Sequence, residues 1–192
     1  DRWRETDCAT AYGSVRVRTA DGFIFLQRHG DPPVPPHSIN HRANIEALHL
    51  SGVKRILSVN SVGSMKRDIA PGTLLIPDDF LSPWSSATFW DREVQYVVPR
   101  MDKALQGEVL SLCLEMDLPV RSGGVYVQTI GPRLETKAEI RMLQEFGDVV
   151  GMTMASEATL AMERGIPYAS LCSVDNYANG ISDVPLTMDE IY

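Results

Sequence analysis

Three clusters of polar residues, each following a short apolar run, carry donors that suit an anion. "QRHG" contains Arg28 and His29, an arginine fork beside a histidine, and such a fork matches the oxygens of a phosphate or a carboxylate. In "NSVGS" the backbone N–H groups around Ser61 and Gly63 can form an anion-binding nest. In "VGMT" the hydroxyl and N–H of Thr153 are further donors. Together these residues predict a phosphate site.

Two other clusters carry groups that suit the edge of a nucleobase. "IGPRLET" places Glu135 where a strand leads into a helix, and "SVDNYANG" places Asn176 after a buried strand. A carboxylate only accepts hydrogen bonds, whereas a carboxamide both donates and accepts. Phosphate donors combined with base-edge groups suggest an enzyme that acts on nucleotides or nucleosides. No nucleophile with a partner base is evident.

Each cluster also has an ordinary structural explanation. Arg28 and His29 fit a surface arginine beside a turn, and "NSVGS" fits a packing turn. The helix dipole favours an acid at Glu135, and Thr136 fits a helix cap. "DN" is typical of an Asx turn, and a methionine such as Met152 more often belongs to a core. The functional interpretation therefore depends on the five clusters together.

The segment before these clusters predicts a hairpin, a loop and a helix. "VRVRTADGFIFLQ" alternates in polarity around a D-G turn, which is typical of a hairpin. "DPPVPPHS" predicts a stiff loop, because prolines exclude a helix interior or a central strand. "INHRANIEALHLSG" predicts a helix with Ser38 as its cap and Gly52 at its end. Its expected buried face consists of Ile39, Ala43, Ala47 and Leu50.

From about Val53 onward, predicted strands alternate with predicted helices. The strands are "KRILSVNSVG", "GTLLIPDDF", "GGVYVQTIG", "DVVGMT" and "PYASLCSVDN". The helices are "KALQGEVLSLCLEM", "ETKAEIRMLQEFG" and "SEATLAMERG", the last with Ser156 as candidate cap. This alternation predicts an α/β domain with a mixed, largely parallel sheet and helices on both faces. In such sheets, ligands gather at the carboxyl ends of strands.

Composition narrows the possible partners. The chain has 192 residues, a net charge of −7 and 44% apolar residues, which suits one domain with a substantial core. The acidic balance argues against nucleic acid, and no apolar run reaches the roughly 20 residues of a membrane span. "DRWRETDCAT" lacks an apolar signal core, so we expect a cytoplasmic protein. Three scattered cysteines indicate neither disulfides nor a metal site, and the apolar surroundings of Cys113 and Cys172 indicate buried thiols.

Five ordered motifs together resemble the trimeric purine nucleoside phosphorylases, over about Glu5 to Ile191. They are "RHG…PPHSINHRANIEAL", "VNSVGS…PGTLLIPDDF", "GPRLETKAEIRML", "VGMTMASEATLA" and "YASLCSVDNYANGIS". Within the family they resemble the methylthioadenosine and methylthioinosine branch, above all the S-methyl-5′-thioinosine phosphorylases. The resemblance implies a single three-layer αβα domain over residues 1–192, a homotrimer, and a role in purine salvage. It implies no cofactor and no metal, with inorganic phosphate as co-substrate.

The resemblance also implies roles for individual residues. The phosphate set consists of Arg28, His29, Ser61 and Thr153. Glu135 corresponds to the carboxylate that accepts from purine N1–H, and Asn176 to the residue at purine N7 and O6. The other substrate-binding residues are Met152 beneath the ribose, Leu134 against the purine, and Met188 at the 5′ end.

These assignments favour one substrate class. A carboxylate at N1 pairs with the N1–H of a 6-oxopurine and repels the lone pair of a 6-aminopurine. Mispairing a buried polar group costs about 1–3 kcal/mol, so Glu135 and Asn176 favour a 6-oxopurine. Met188 cannot donate to a 5′-hydroxyl but packs well on a methylthio group. We therefore expect 5′-methylthioinosine as substrate, with inosine or guanosine next.

The sequence also departs from the family pattern. The Gly-rich phosphate loop of relatives has no counterpart before Asp1, nor has their C-terminal helix beyond Tyr192. Gln95 falls near the position where relatives carry a histidine toward the neighbouring subunit, while Arg133 and Asp175 have no assigned role. Two alternatives therefore stay open: a methylthioadenosine phosphorylase, and a non-catalytic nucleoside-binding member of the family.

Overall fold

The N-terminal part of the chain forms a small antiparallel sheet. The computed structural model describes residues 2–84, 87–184 and 186. The strands of this sheet are β1 (Arg4–Thr10), β2 (Gly13–Ala20) and β3 (Phe23–Phe25). The predicted hairpin is confirmed, since Asp21 and Gly22 both have positive φ, 48° and 82°, as a tight hairpin turn requires. Strand β1 was not predicted, because it is polar and mostly exposed and so shows little apolar periodicity.

The central sheet has seven strands. They are β4 (Ile56–Ser64), β5 (Leu74–Ile76), β6 (Asp79–Leu81), β7 (Val120–Ser122), β8 (Val125–Gln128), β9 (Val149–Gly151) and β10 (Tyr168–Tyr177). Their order is β6-β8-β9-β4-β10-β5-β7. Only β4–β9 and β10–β5 pair in antiparallel fashion, and the other neighbours are parallel. This confirms the prediction of a mixed, largely parallel sheet.

One predicted strand is in fact two. "GTLLIPDDF" forms β5 and β6, which lie in different parts of the sheet. The break falls at Pro77, which lacks the N–H that a continuous ladder of hydrogen bonds needs. The chain changes direction at Asp78, whose N–H donates to the Gly124 carbonyl.

In the described part of the chain, four helices cover both faces of the central sheet. They are α1 (His41–Leu50), α2 (Lys103–Glu115), α3 (Lys137–Leu143) and α4 (Met154–Glu163). Alternate strand residues separate the two sides, since Tyr126 belongs to the core cluster of α1 and α4, while Val127 belongs to the cluster of Ile140 on α3. Similarly, Ala169 of β10 packs with α2. The α/β fold with helices on both faces is thus confirmed.

The start and the buried face of α1 differ from the sequence expectation. Ser38 is not the cap: it ends a one-turn 3-10 helix, Pro36–Ser38, inside the proline-rich loop. The N-cap is Asn40, whose side chain accepts from the N–H of Ala43. Leu50 is 58% exposed, whereas Ile45 and Leu48 are buried beside Ala43 and Ala47. The helix begins later than predicted, and Leu50 is its last residue, outside the buried face that Ile45 and Leu48 complete.

The start of α4 also differs. Ser156 was the candidate cap, but the N-cap residue is Thr153 and Ser156 lies inside the helix. Its hydroxyl accepts from Gln128 Nε2 at 2.6 Å, and its N–H donates to Gln128 Oε1 at 3.0 Å. A buried carboxamide on β8 therefore ties the first turn of α4 to the sheet.

Within the described ranges, no helix is long and apolar enough to cross a membrane. Among the same residues, no group of three or more His, Cys, Asp or Glu side chains is arranged to hold a metal. Cys113 and Cys172 are buried as expected, and burial raises the pKa of the Cys172 thiol to about 12.

Candidate functional site

The candidate residues gather along β4, the middle strand of the central sheet. Strand β4 pairs with β10 from Ile56 to Ser64 but with β9 only at Gly63 and Ser64. Because β9 runs antiparallel to β4, the chain beyond β9 returns alongside Asn60. The site therefore lies along β4. The parallel pattern had suggested a site only at the edge of the sheet where the carboxyl ends of the strands meet.

A β-bulge at Asp175 directs Asn176 toward β4. Val174 pairs with Val62 and Asn176 with Gly63, so Asp175 is the extra residue. An inserted residue makes the side chains that follow it point to the opposite face of the sheet. As a result, a Cβ on Gly63 would lie only 3.3 Å from Asn176 Nδ2. Asp175, which had no assigned role, is exposed and accepts from the Ser173 hydroxyl at 2.5 Å.

The side chain of Asn176 keeps one hydrogen-bond donor and its acceptor oxygen for a ligand. Its Nδ2 donates to the Tyr177 carbonyl at 2.8 Å, which uses one of the two amide hydrogens. The second hydrogen and Oδ1 remain, on a side chain that is only partly buried.

Glu135 has a buried carboxylate, and hydrogen bonds hold both its side chain and its backbone. It lies two residues before α3 and is 8% exposed. The hydroxyl of Thr129, at the end of β8, donates to Glu135 Oε1 at 2.5 Å, and Asn179 Nδ2 donates to the Glu135 carbonyl at 3.1 Å. The second carboxylate oxygen is left for another donor. Asn179 also links this loop to the segment that carries Asn176.

The neighbouring Arg133 and Thr136 build the start of α3. Thr136 and Glu139 form a capping box, and Arg133 donates to both carboxylate oxygens of Glu139 at 2.8 Å. The Arg133 hydrogen bonds, then those from Thr136, lower the pKa of Glu139 to about 2. Thr136 is thus the cap, Glu135 lies outside the helix, and Arg133 has a structural partner.

The expected purine contact lies in the loop between β8 and α3, and the expected ribose contact follows β9 and packs against that loop. Leu134 is 37% exposed, and Met152 packs against Gly131, where an added Cβ would meet Met152 Sδ at 2.5 Å. Gly131 also has φ +69°, so both its backbone and its contact with Met152 require glycine. Met188 lies outside the described residues.

Arg28 is held between β4 and α4. Its Nε and Nη2 donate to the two oxygens of Glu157 at 2.7 and 3.3 Å, and Nη1 donates to the Val59 carbonyl at 2.8 Å. Burial by itself would lower the pKa of Arg28, but the charge and hydrogen bonds of Glu157 outweigh it and raise the pKa. Arg28 is therefore a permanent, oriented cation.

His29 has a defined tautomer. Its Nδ1 lies 2.7 Å from the Val34 carbonyl, and because a carbonyl can only accept, Nδ1 carries the hydrogen. Nε2 is then available to a ligand. Arg28 and His29 both border a cleft of about 490 Å³ between the small sheet and α1, together with Asp7 and Arg16. This cleft does not include the base-side residues Glu135 and Asn176.

Ser61 and Thr153 differ in what they present. Ser61 lies on an exposed position of β4. Thr153 is 8% exposed, its N–H donates to the Tyr126 hydroxyl at 3.2 Å, and its own hydroxyl donates to Asn60 Oδ1 at 3.3 Å. Both polar groups of Thr153 thus have protein partners, while Ser61 is open to solvent.

A hydrogen-bonded polar layer supports this end of the site. Asn60 Nδ2 donates to the hydroxyls of Ser58 and Ser170 at 3.0 and 2.8 Å, and the Tyr168 hydroxyl lies 2.7 Å from Ser58 Oγ and 3.0 Å from Glu157 Oε2. Burial raises the pKa of Tyr168 well above its usual value, so it stays a donor. Satisfied buried networks of this kind hold side chains rigidly.

The structure therefore brings the candidates together in two groups. The anion-side group consists of Arg28, His29, Ser61 and Thr153, and the base-side group consists of Glu135, Asn176, Leu134 and Met152. On β4, Ser61 belongs to the anion-side group, and Gly63 lies against Asn176 of the base-side group. Two residues of a strand span about 7 Å, so the two groups are separated by about this distance along β4. This spacing suits a sugar between an anion and a heterocycle.

Three supporting residues were missed from the sequence. Glu157 lay inside a predicted helix, Thr129 at the end of a predicted strand, and Asn179 in a presumed turn. The partners of Glu157 and Asn179 are 129 and 44 positions away, so no local pattern could have found these two residues. Thr129 lies only six residues before its partner Glu135, but no pattern in the sequence indicates their contact.

Comparison with known proteins places these observations in context. The family model described as "Phosphorylase superfamily" matches residues 8–192. A protein of Archaeoglobus fulgidus named "Probable 6-oxopurine nucleoside phosphorylase" is 42% identical over 193 residues, covering 97% of this chain and 79% of that protein. A protein of Methanocaldococcus jannaschii named "Probable S-methyl-5'-thioinosine phosphorylase" is 43% identical over 189 residues, covering 95% of this chain and 75% of that protein.

The fold also matches solved structures. A mutant adenosine/methylthioadenosine phosphorylase from Schistosoma mansoni, in complex with tubercidin, superposes with a TM-score of 0.86 at 23% identity. The match covers 98% of this chain and 78% of that one. At this identity the likeness concerns the fold alone.

Proposed function

The chain belongs to the phosphorylase superfamily, and on this premise we propose that it catalyses phosphorolysis of a 6-oxopurine nucleoside. The preferred substrate is 5′-methylthioinosine, followed by inosine or guanosine, and the reaction belongs to purine salvage. The products are the free purine and the ribose 1-phosphate, or its methylthio derivative. The names of the relatives from Archaeoglobus fulgidus and Methanocaldococcus jannaschii support this substrate class.

One observation carries the proposal: neighbouring residues orient both the buried carboxylate of Glu135 and the carboxamide of Asn176. Thr129 occupies one oxygen of Glu135, and the bulge at Asp175 brings Asn176 against Gly63. The free oxygen of Glu135 accepts the N1–H of a 6-oxopurine, and the free Nδ2 hydrogen of Asn176 is donated to N7 and O6, which both accept in the nucleoside. A 6-aminopurine offers a lone pair at N1, which faces the carboxylate unfavourably.

In the proposed reaction, the C1′–N9 bond breaks first and its electron pair goes to the purine. Asn176 stabilises the negative charge that develops there, as an oriented dipole does without reorganising. Phosphate then forms a bond from one of its oxygens to C1′ on the opposite face, and the proton that the phosphate loses balances the proton that the departing purine takes up through solvent. Arg28, His29 and Ser61 hold the phosphate, with Thr153 beside Asn60 at the back of that group. No covalent enzyme intermediate is required.

Three apolar residues are assigned to the ribose, the purine and the 5′ substituent. Met152, seated on Gly131, lies beneath the ribose, and Leu134 forms the apolar wall beside the purine. We assign Met188, which lies outside the described residues, to the methylthio group, because its thioether cannot donate to a 5′-hydroxyl but suits an apolar thioether.

We further infer a homotrimer, in which the segment around Gln95 contributes to the pocket of the neighbouring subunit. Val94, Tyr96 and Val98 of this segment are 87%, 90% and 83% exposed. A cluster of exposed apolar side chains is typical of an interaction surface. The cytoplasmic location stays a prediction.

A substrate panel tests the proposed function. Purified protein is assayed with methylthioinosine, methylthioadenosine, inosine, guanosine and adenosine, each with and without phosphate, and the released purine is quantified. We expect hypoxanthine from methylthioinosine only when phosphate is present. Equal release without phosphate would indicate a hydrolase, and preference for methylthioadenosine would indicate the adenine-specific alternative.

Calorimetry separates the non-catalytic alternative. Hypoxanthine and phosphate are titrated into the same protein preparation. Tight binding in a preparation without turnover would identify a nucleoside-binding protein, and would refute the proposed reaction.

A further inference from the structure

We propose that Glu157 is a positioning residue that sets the orientation of Arg28 toward phosphate. The inference depends on the proposed function, in which Arg28 binds phosphate. Glu157 touches neither substrate in this scheme and acts only through the guanidinium.

The contact between the two side chains is bidentate and buried. Glu157 accepts from Nε and Nη2 of Arg28, and the two side chains are 7% and 20% exposed. A two-pronged contact between planar groups defines the plane of the guanidinium as well as its position. Arg28 therefore has one orientation and not a range of rotamers.

The guanidinium is left with donors for a ligand. Of its five N–H groups, two point to Glu157 and one to the Val59 carbonyl. One N–H thus remains on each terminal nitrogen, which matches two oxygens of a phosphate.

The same contacts place Arg28 relative to the other anion-side residues. Glu157 lies one helical turn after Thr153 on α4, and Val59 lies two residues before Ser61 on β4. The carboxylate itself is anchored from β10, since the Tyr168 hydroxyl lies 3.0 Å from Glu157 Oε2. Three elements thus define where the Arg28 donors point.

A second ion pair on α4 provides a matched control. Arg164 at the end of the helix donates from Nε to Glu46 Oε2 at 2.6 Å, and these side chains are 22% and 14% exposed. The chemistry and burial resemble those of Arg28 and Glu157, but Arg164 lies seven residues after Glu157, about two helical turns farther along α4. A merely structural role would make the two pairs equivalent in an assay.

The test compares Glu157→Gln with Glu46→Gln in steady-state phosphorolysis. In Glu157→Gln the amide NH₂ faces guanidinium donors, so only one of the two hydrogen bonds can form. We expect the KM for phosphate to rise about tenfold or more, in line with the effect of removing partners that orient a binding group. The KM for the nucleoside should change less than about twofold. Glu46→Gln should leave both values near wild type, at a comparable loss of thermal stability.

A second variant keeps the test decisive if Glu157→Gln does not fold. Tyr168→Phe removes the hydroxyl that anchors Glu157 but retains the ion pair, and we expect a severalfold rise in the KM for phosphate. Values within about twofold of wild type in the folded variant would overturn the positioning role. By contrast, a wild-type protein without phosphate-dependent turnover would refute the proposed function itself.

Discussion

At the scale of single residues, the groups that matter most are held by neighbours which leave their outward atoms free. Thr129 takes one oxygen of Glu135, and Tyr177 takes one hydrogen of the Asn176 amide. A side chain that its neighbours already hold in place loses less conformational freedom when a ligand binds. Its unpaired donors and acceptors are also oriented toward the ligand. Substrate selection in this site is thus a matter of which atoms remain unpaired.

Asn176→Asp should move the preference from 6-oxopurines toward 6-aminopurines. A carboxylate at this position accepts from a 6-amino group but repels O6, and mispairing of this kind costs about 1–3 kcal/mol. We expect the ratio of kcat/KM for methylthioadenosine over methylthioinosine to rise about tenfold. The measurement is a two-substrate comparison on wild type and variant, with thermal unfolding as a check on folding. An unchanged ratio would contradict the assignment of Asn176 to the base.

His41 is a buried titratable group close to the Arg28–Glu157 pair. Among the described residues its buried Nδ1 has no hydrogen-bond partner. Burial is the main reason why the pKa of His41 is lowered; Arg28 and His29 lower it further, and Glu157 opposes this. The folded protein therefore disfavours the imidazolium.

This lowered pKa predicts a loss of stability in acid. The unfolded chain binds a proton at His41 near its ordinary pKa of about 6.5, whereas the folded chain binds it only at lower pH. The free energy of unfolding should therefore fall as the pH drops below about 6.5. We expect His41→Gln to lose less stability than wild type between pH 7 and 5 in urea titrations. Parallel pH profiles of the two proteins would show that His41 has no such role.

At the scale of elements, the mixed sheet decides where the candidate residues meet. Strand β9 runs antiparallel to β4, so that Thr153 returns beside Asn60 and α4 begins next to the anion-side group. The bulge in β10 turns Asn176 toward the same strand. These two departures from regular parallel pairing occur at the site, and bulges are common near functional residues.

The start of α1 gives a prediction on stability. Asn40→Ala should lower the free energy of unfolding by about 1 kcal/mol or more, because Asn40 caps the helix and also donates to the Tyr12 carbonyl at 2.7 Å. Ser38→Ala, at an exposed position two residues earlier, should change it by less than about 0.5 kcal/mol. Urea unfolding of both variants measures the difference. Equal effects would mean that Asn40 does not cap the helix in solution.

At the scale of the whole molecule, three core clusters hold the sheet between its helices. Segment 91–100 contributes little to these cores and presents Val94, Tyr96 and Val98 outward. Apolar side chains presented in this way are stabilised when another subunit covers them, which agrees with the proposed homotrimer.

Tyr96→Asp should therefore weaken the assembly. We expect a wild-type mass in solution near three times the 21.3 kDa of the chain, and a shift toward the single-chain mass in the variant. Light scattering coupled to size exclusion measures both. Leu114→Asp, on the exposed side of α2, serves as control and should keep the wild-type mass. A trimeric Tyr96→Asp variant would exclude this segment from the interface.

Much of the fold and the composition of the site could be predicted from the sequence. The α/β alternation followed from apolar runs separated by turns, because such runs are local properties of the chain. The chemical types at the strand ends, such as Arg28 and Glu135, are likewise visible residue by residue. The exact helix starts were less accessible, since Asn40 and Thr153 compete with nearby Ser38 and Ser156 and only the tertiary contacts of each decide the outcome.

The sequence by itself therefore determined the α/β class and which side chains were available for chemistry at the strand ends. Only the tertiary structure decided which of their atoms remain free. Glu157 reaches Arg28 across 129 positions of the chain, and the bulge that aims Asn176 exists only in the pairing of β10 with β4. Contacts of this kind arise from the packing of distant segments, and packing leaves no periodic signal in the local sequence.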